Sequence, residues 1–162
     1  MASALKNLSN YDPAQLPDAS PFSFGIAVAE WNAEITHALF EGCYETLLQQ
    51  GAQPENIHIA RVPGAFELPL ATAWLFRKYT PHALISLGCV IKGETSHNEY
   101  INRAVSEALM QLSLEYEIPC IFGLLTPDSL QQAKDRAGGR YGNKGVEAAT
   151  TALQMLALRS KI

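Results

Sequence analysis

The chain has 162 residues, with 12 Lys+Arg against 16 Asp+Glu for a formal net charge of −4, and it is 48% hydrophobic and 17% charged. That length suits one domain with a sizeable core, and an acidic balance without any Lys/Arg-rich stretch argues against a general nucleic-acid binder. Cys43, Cys89 and Cys120 form no close pair, so a disulfide framework is not expected and a reducing compartment fits.

Met1 to Asn10 hold Lys6 but no apolar run long enough for a signal-peptide core. The longest apolar stretch, Ala83 to Ile91, is half a membrane span and is broken by Ser86 and Gly88. A soluble, cytoplasmic protein without membrane contact is the expectation. Residues 1–21 carry Pro13, Pro17 and Pro21, a spacing that forbids a helix and predicts an extended N-terminal arm, either disordered or lying along something else. Residues 22–162 then read as a single α/β domain.

Phe24 to Ala29 is a short apolar run, the pattern of a strand buried on both faces. Asn32 can cap a following helix whose stripe is Ile35, Leu39, Cys43, Leu47 and Leu48, and Gly51 ends it. Ile57 to Val62 reads as a second strand, and Phe66 to Tyr79 as a helix carrying Leu70, Ala73, Trp74 and Phe76. Ala83 to Ile91 is the strongest strand. Ser96 to Glu117 follows as a helix with Ile101, Val105, Leu109 and Leu112 on one stripe, and Pro119 to Leu125 is the fourth strand. Two helices close the chain, about Asp128 to Arg136 and Asn143 to Leu158, around a turn containing Gly138, Gly139 and Gly142. Strands alternating with helices predict right-handed βαβ crossovers. The fold class is therefore a three-layer αβα sandwich with a four-stranded parallel sheet, flavodoxin-like.

Ligands bind at the carboxyl ends of the strands in such sheets. That rule selects Glu30-Trp31-Asn32, Pro63 to Glu67, Lys92 to His97, and Thr126-Pro127-Asp128. In the third segment Gly93 allows a tight turn, and Ser96-x-x-Glu99 fits a capping box, which would present free backbone N–H groups to an anion beside Lys92. A plain capped helix fits the same residues. His97 falls in the first helical turn, where the macrodipole disfavours imidazolium and a neutral ring can accept a proton; a surface histidine is the simpler reading. Cys43 and Cys120 read as packing residues and Cys89 as pocket wall. Arg136 and Arg140 either complement a helix C-terminus, or one of them grips phosphate as a two-pronged donor. No His/Cys/carboxylate set has zinc spacing, so no metal is expected.

Three segments carry a more specific signal: Pro63-Gly-Ala-Phe-Glu-Leu-Pro69, Gly88-Cys-Val-Ile-Lys-Gly-Glu-Thr-Ser-His97, and Arg136-Ala-Gly followed by Gly142-Asn-Lys-Gly145. In this order and spacing, within a match running from about Phe24 to Leu158, they resemble the 6,7-dimethyl-8-ribityllumazine synthase family. The resemblance implies a transferase that joins 5-amino-6-(D-ribitylamino)uracil to 3,4-dihydroxy-2-butanone 4-phosphate, releasing phosphate and water, without a cofactor. It implies Trp31 stacked on the pyrimidine with Asn32 beside it, and Ala65, Phe66 and Glu67 along the pyrimidine and ribityl site. Cys89, Val90 and Ile91 would form the floor, Glu94 and Thr95 would take the phosphate, and Arg136 would grip it. His97 would relay protons. Phe122 and Lys144 would come from an adjacent subunit.

The resemblance further implies a homo-oligomer: a pentamer, and, with no insertion between the last two helices, a 60-subunit icosahedral shell. Riboflavin synthase is the candidate protein partner. The sequence departs from the family pattern at Asn98, where an aromatic commonly follows the histidine, and at Arg140 and Tyr141, which leaves substrate affinity open. A flavodoxin would need a Ser/Thr-rich loop after the first strand and a receiver domain an acidic cluster there, and Glu30-Trp31-Asn32 supplies neither. A shell protein without catalysis and an archaeal-type riboflavin synthase are the remaining competitors.

Overall fold

The computed structural model describes Asn7 and residues 9–162. The part of the expected arm formed by residues 1–6 and Leu8 lies outside the described residues. The sheet has four parallel strands, β1 (Phe24–Ala29), β2 (Ile57–Val62), β3 (Ala83–Cys89) and β4 (Cys120–Leu125), in the order β2-β1-β3-β4. Among the described residues, five α-helices surround it: α1 (Ala33–Gln49), α2 (Leu68–Tyr79), α3 (His97–Tyr116), α4 (Leu130–Asp135) and α5 (Lys144–Arg159). A small antiparallel ladder of β5 (Ala137–Gly139) and β6 (Gly142–Asn143) links α4 to α5.

Every residue of β1 and β3 is buried, as strands covered on both faces must be. One core lies between the sheet and α1/α5, built on Phe24, Ile26, Leu39, Leu47, Ile85 and Leu153. A second lies between the sheet and α2/α3, built on Leu68, Leu75, Leu84, Val105 and Leu109. Burying a Leu, Ile or Phe side chain is worth roughly 1.5–3 kcal/mol, so these two layers supply the main stabilisation. The last turn of α1 ends in a Schellman motif: Ala52 N–H donates to Leu47 at 3.0 Å, Gly51 N–H to Leu48 at 2.9 Å, and Gly51 takes φ 98°.

The apolar stripes expected on α1 and α3 face the core. That of α2 differs. Leu70 and Trp74 are more than half exposed, and the buried face is Leu68, Ala71, Thr72, Ala73 and Leu75. Phe66 belongs to a separate 3-10 turn, Ala65–Glu67, because Pro69 sits in the first turn of α2 and sets where that helix starts. Strand β3 stops at Cys89, two residues short of the expected Ile91, where the chain leaves the ladder. The prolines of the arm allow one short turn, Pro13–Gln15, capped by Asp12. Ala19 is fully buried in the α1/α5 layer, its N–H donating to Gln50 at 2.8 Å, so this part of the arm lies on its own subunit.

Helices α1 and α5 approach so closely that a Cβ on Gly145 would run into the Leu39 carbonyl. Asn143 fixes the approach. Its Oδ1 accepts from Gly145 N–H at 2.7 Å as the α5 cap, and its Nδ2 donates to the Ala38 carbonyl of α1 at 2.9 Å. Asn143→Ala removes both the cap and the link to α1, so it should cost about 2 kcal/mol. A drop of several degrees in the thermal midpoint checks this, and an unchanged midpoint would remove Asn143 from the frame that holds Lys144.

Candidate active site

Strand β1 pairs with β2 and β3 in a register that sets Ala29 opposite Val62 and Val28 opposite Leu87, so the three strands end near one level. Beyond those ends lies a cleft of about 810 Å³, within the range of small-molecule sites. The segment after β1 gives Trp31 and Asn32, that after β2 gives Pro63 to Glu67, and that after β3 gives Cys89 to Ile91 with Gly93, Thr95 and His97. Asn98 and Ile101 of α3 complete the wall.

Hydrogen bonds fix each rim segment. The Glu30 N–H donates to Val62 at 2.8 Å and the Trp31 N–H to Pro63 at 3.1 Å, extending the β1–β2 ladder past both strands. The third segment is braced from behind, Val90 N–H donating to Leu125 and Lys92 N–H to Pro127, both at 2.9 Å. Thr126-Pro127-Asp128 therefore buttresses the cleft without lining it. Glu30 is also spent elsewhere: its carboxylate binds Arg61 at 3.0 Å and His37 at 3.1 Å, and these contacts, Arg61 first, hold it below the usual carboxylate range.

Trp31 is 74% exposed and Phe66 58%, so two aromatic surfaces stand open at the cleft. Glu67 is exposed at its edge and is the cleft's carboxylate. His97 opens α3, exposed and beside Thr95. The capping box is not formed. Ser96 has φ −73° and ψ 10°, not the extended backbone a cap requires, and makes no side-chain cap bond. Asn32 likewise holds the cap position of α1 without a cap bond. It takes left-handed φ 61° and ψ 48°, and its Nδ2 donates to the Cys89 carbonyl at 2.9 Å.

Four expected site residues do not line the cleft. Glu94 lies in the exposed loop between Gly93 and Thr95, and Phe122 is 37% exposed on the edge strand β4. Arg136 and Lys144 meet at the β5/β6 corner, where Glu147 binds both, Arg136 at 2.8 Å and Lys144 at 3.1 Å. Among the described residues, none lining the cleft is Lys or Arg. Glu147 was not singled out from sequence; its spacing of i+3 from Lys144 on α5 is the signal that could have found it. Asn98 was noted only as a departure, and its place on the first turn of α3 brings it to the wall.

Burial pushes the Cys89 thiol up to about 12 and the Cys120 thiol to about 11. Cys43, fully buried, is raised as well. The thiolate, the nucleophilic form, is therefore scarce at neutral pH, and Cys89 acts as an uncharged wall.

A family model described as 6,7-dimethyl-8-ribityllumazine synthase matches residues 21–160. Relatives of that name include a Parabacteroides distasonis protein, 52% identical over 156 residues, with 96% of this chain and 98% of the relative covered. One from Cytophaga hutchinsonii is 53% identical over 157 residues, covering 97% and 98%. One from Porphyromonas gingivalis is 46% identical over 158 residues, covering 98% of each.

Cys89→Ala should leave turnover within about threefold of the parent, because a protonated thiol takes no covalent role. Native protein should also resist thiol alkylation near neutral pH and react once unfolded. Loss of activity on Cys89→Ala with assembly intact would contradict the wall assignment.

Proposed function

The chain belongs to the 6,7-dimethyl-8-ribityllumazine synthase family, and we propose that the rim cleft is where its reaction takes place. The reaction is the transferase step of riboflavin biosynthesis that produces 6,7-dimethyl-8-ribityllumazine. Its reactants are 5-amino-6-(D-ribitylamino)uracil and 3,4-dihydroxy-2-butanone 4-phosphate, and phosphate and water leave. The observation that carries the placement is the convergence of Trp31, Glu67, Thr95 and His97 on one cleft.

The pyrimidine stacks on the open Trp31 face, with Ala65, Phe66, Val90 and Ile91 around it and Cys89 beneath. Glu67 accepts hydrogen bonds from the ribityl hydroxyls. The Thr95 hydroxyl and the loop through Glu94 receive the phosphate. The amine adds to the ketone and water is lost; phosphate then leaves, and the second amine closes the ring with loss of a second water. His97, beside the phosphate loop, relays the protons these steps move. Holding both reactants in one pocket supplies proximity.

A cleft without its own cation needs one to stabilise departing phosphate. Arg136 and Lys144 supply it from a neighbouring subunit, together with that subunit's Phe122. Because one carboxylate, Glu147, binds both cations, they travel as a unit and reach the same site. The large exposed apolar side chains Leu70, Trp74, Met110 and Leu114 support close packing between copies. The compact β5/β6 hairpin between α4 and α5 supports the 60-subunit shell built from pentamers. Riboflavin synthase, which consumes the product, is the candidate partner, and the cytoplasm the location; no helix among the described residues is long and apolar enough to cross a membrane.

Lumazine formation above a no-protein control, with phosphate released in step, tests the placement through variants. His97→Ala should lower turnover about 100-fold with assembly intact, and Arg136→Ala should chiefly raise KM for the phosphate substrate. Assayed with the phosphate substrate below its KM for Arg136→Ala, mixed assemblies of the two impaired variants should exceed the mean activity of the two alone, since some sites would combine a sound His97 cleft with a sound Arg136. Absence of any excess would place both groups in one subunit. Light scattering should give a shell-sized particle near neutral pH, and a pentamer-sized particle alone would exclude the 60-subunit form.

A further inference from the structure

We infer that Asn32 is a positioning residue that sets the Trp31 wall against the β3 floor. The inference rests on Trp31 as the pyrimidine wall. Three features of Asn32 converge. Its backbone is left-handed, a conformation that Asn tolerates better than most residues and that turns the chain from β1 into α1 within one step. Its carbonyl accepts the first helical bonds of α1, from Ile35 N–H at 2.9 Å and Thr36 N–H at 3.1 Å. Its Nδ2 donates to the Cys89 carbonyl at 2.9 Å across the cleft floor.

The consequence falls on its neighbour. Trp31 is tied to β2 by one backbone bond, from its N–H to Pro63, and its side chain is exposed, so packing does little to hold the indole. Asn32 closes the other side by tying the same turn to β3. With both bonds made, the turn is anchored to both neighbouring strand ends, and the indole face is held at a set distance from Cys89. The role is carried by the Nδ2–Cys89 bond within the protein, which is distinct from any bond the rest of the amide makes to substrate.

Asn32→Gly keeps the left-handed backbone and deletes the side chain, while Asn32→Asp keeps the shape and replaces the donor with an acceptor facing a carbonyl. In assembled enzyme both should raise KM for the pyrimidine substrate about tenfold, the order of one lost hydrogen bond, and leave KM for the phosphate substrate within about twofold. Asn32→Asp should be the worse of the two. KM values that rise together, or a pyrimidine KM that does not move, would overturn the positioning role. Trp31→Ala run in parallel separates the premise from the inference. If it raises the pyrimidine KM and the Asn32 variants do not, the Asn32 role alone is wrong; if it has no effect, the Trp31 wall is wrong and the inference falls with it.

Discussion

The parallel pairing of β1 with both β2 and β3 is the constraint on which the site depends. Strand β1 is buried along its whole length, with neighbours on both sides, so a slip of one residue would turn its side chains to the opposite faces. Its register is therefore strongly specified, and with it the level at which all three strands stop. Gly25 tightens that specification, since a Cβ there would lie 2.6 Å from Leu84 Cδ2 and 3.3 Å from Leu75 Cβ, where sheet and α2 meet. Functional groups cannot be carried inside strands buried this completely. They cluster at the strand ends and in the two or three residues beyond, which is why Trp31, Ala65 and Ile91 share a cleft despite their distance in sequence.

Much of this was legible in the sequence because the signals were local. Phe24 to Ala29 and Ile57 to Val62 were read with their observed bounds, and the rim rule then selected three of the segments that line the cleft. What escaped were features set by neighbours distant in the chain. Leu70 and Trp74 have helical spacing and hydrophobicity, yet the sheet is met by Leu68, Ala71 and Leu75 on another face of the helix, so Leu70 and Trp74 point outward. Ser96 fits a capping box by composition, but the turn from Gly93 delivers it in a conformation that cannot cap. The amide of Asn32 was available for capping α1 and went instead to a carbonyl 57 residues away. Arg136 was legible as a candidate phosphate group but not its placement, and Lys144 and Phe122 were legible by resemblance alone, because no pattern within one chain reports which subunit a side chain serves.

The distribution of charge is the physical argument for the proposed division of the site between subunits. The cleft brings hydrogen-bonding groups, an uncharged thiol and the Glu67 carboxylate, and none of these offsets the charge of a phosphate ester. At the other corner two cations share one carboxylate, so the Arg136–Lys144–Glu147 cluster keeps a net positive charge while its parts are held in place. All three side chains are largely buried, Glu147 at 13% exposure, which limits screening and would make the lone subunit hold that surplus charge at a cost. In the proposed shared site, bringing the cluster to a neighbour's anion would relieve the cost on one side and stabilise the leaving phosphate on the other. By linkage, a phosphate substrate bound between subunits must strengthen their association by as much as association strengthens its binding. On that proposal, assembly and catalysis are two readings of one electrostatic contact.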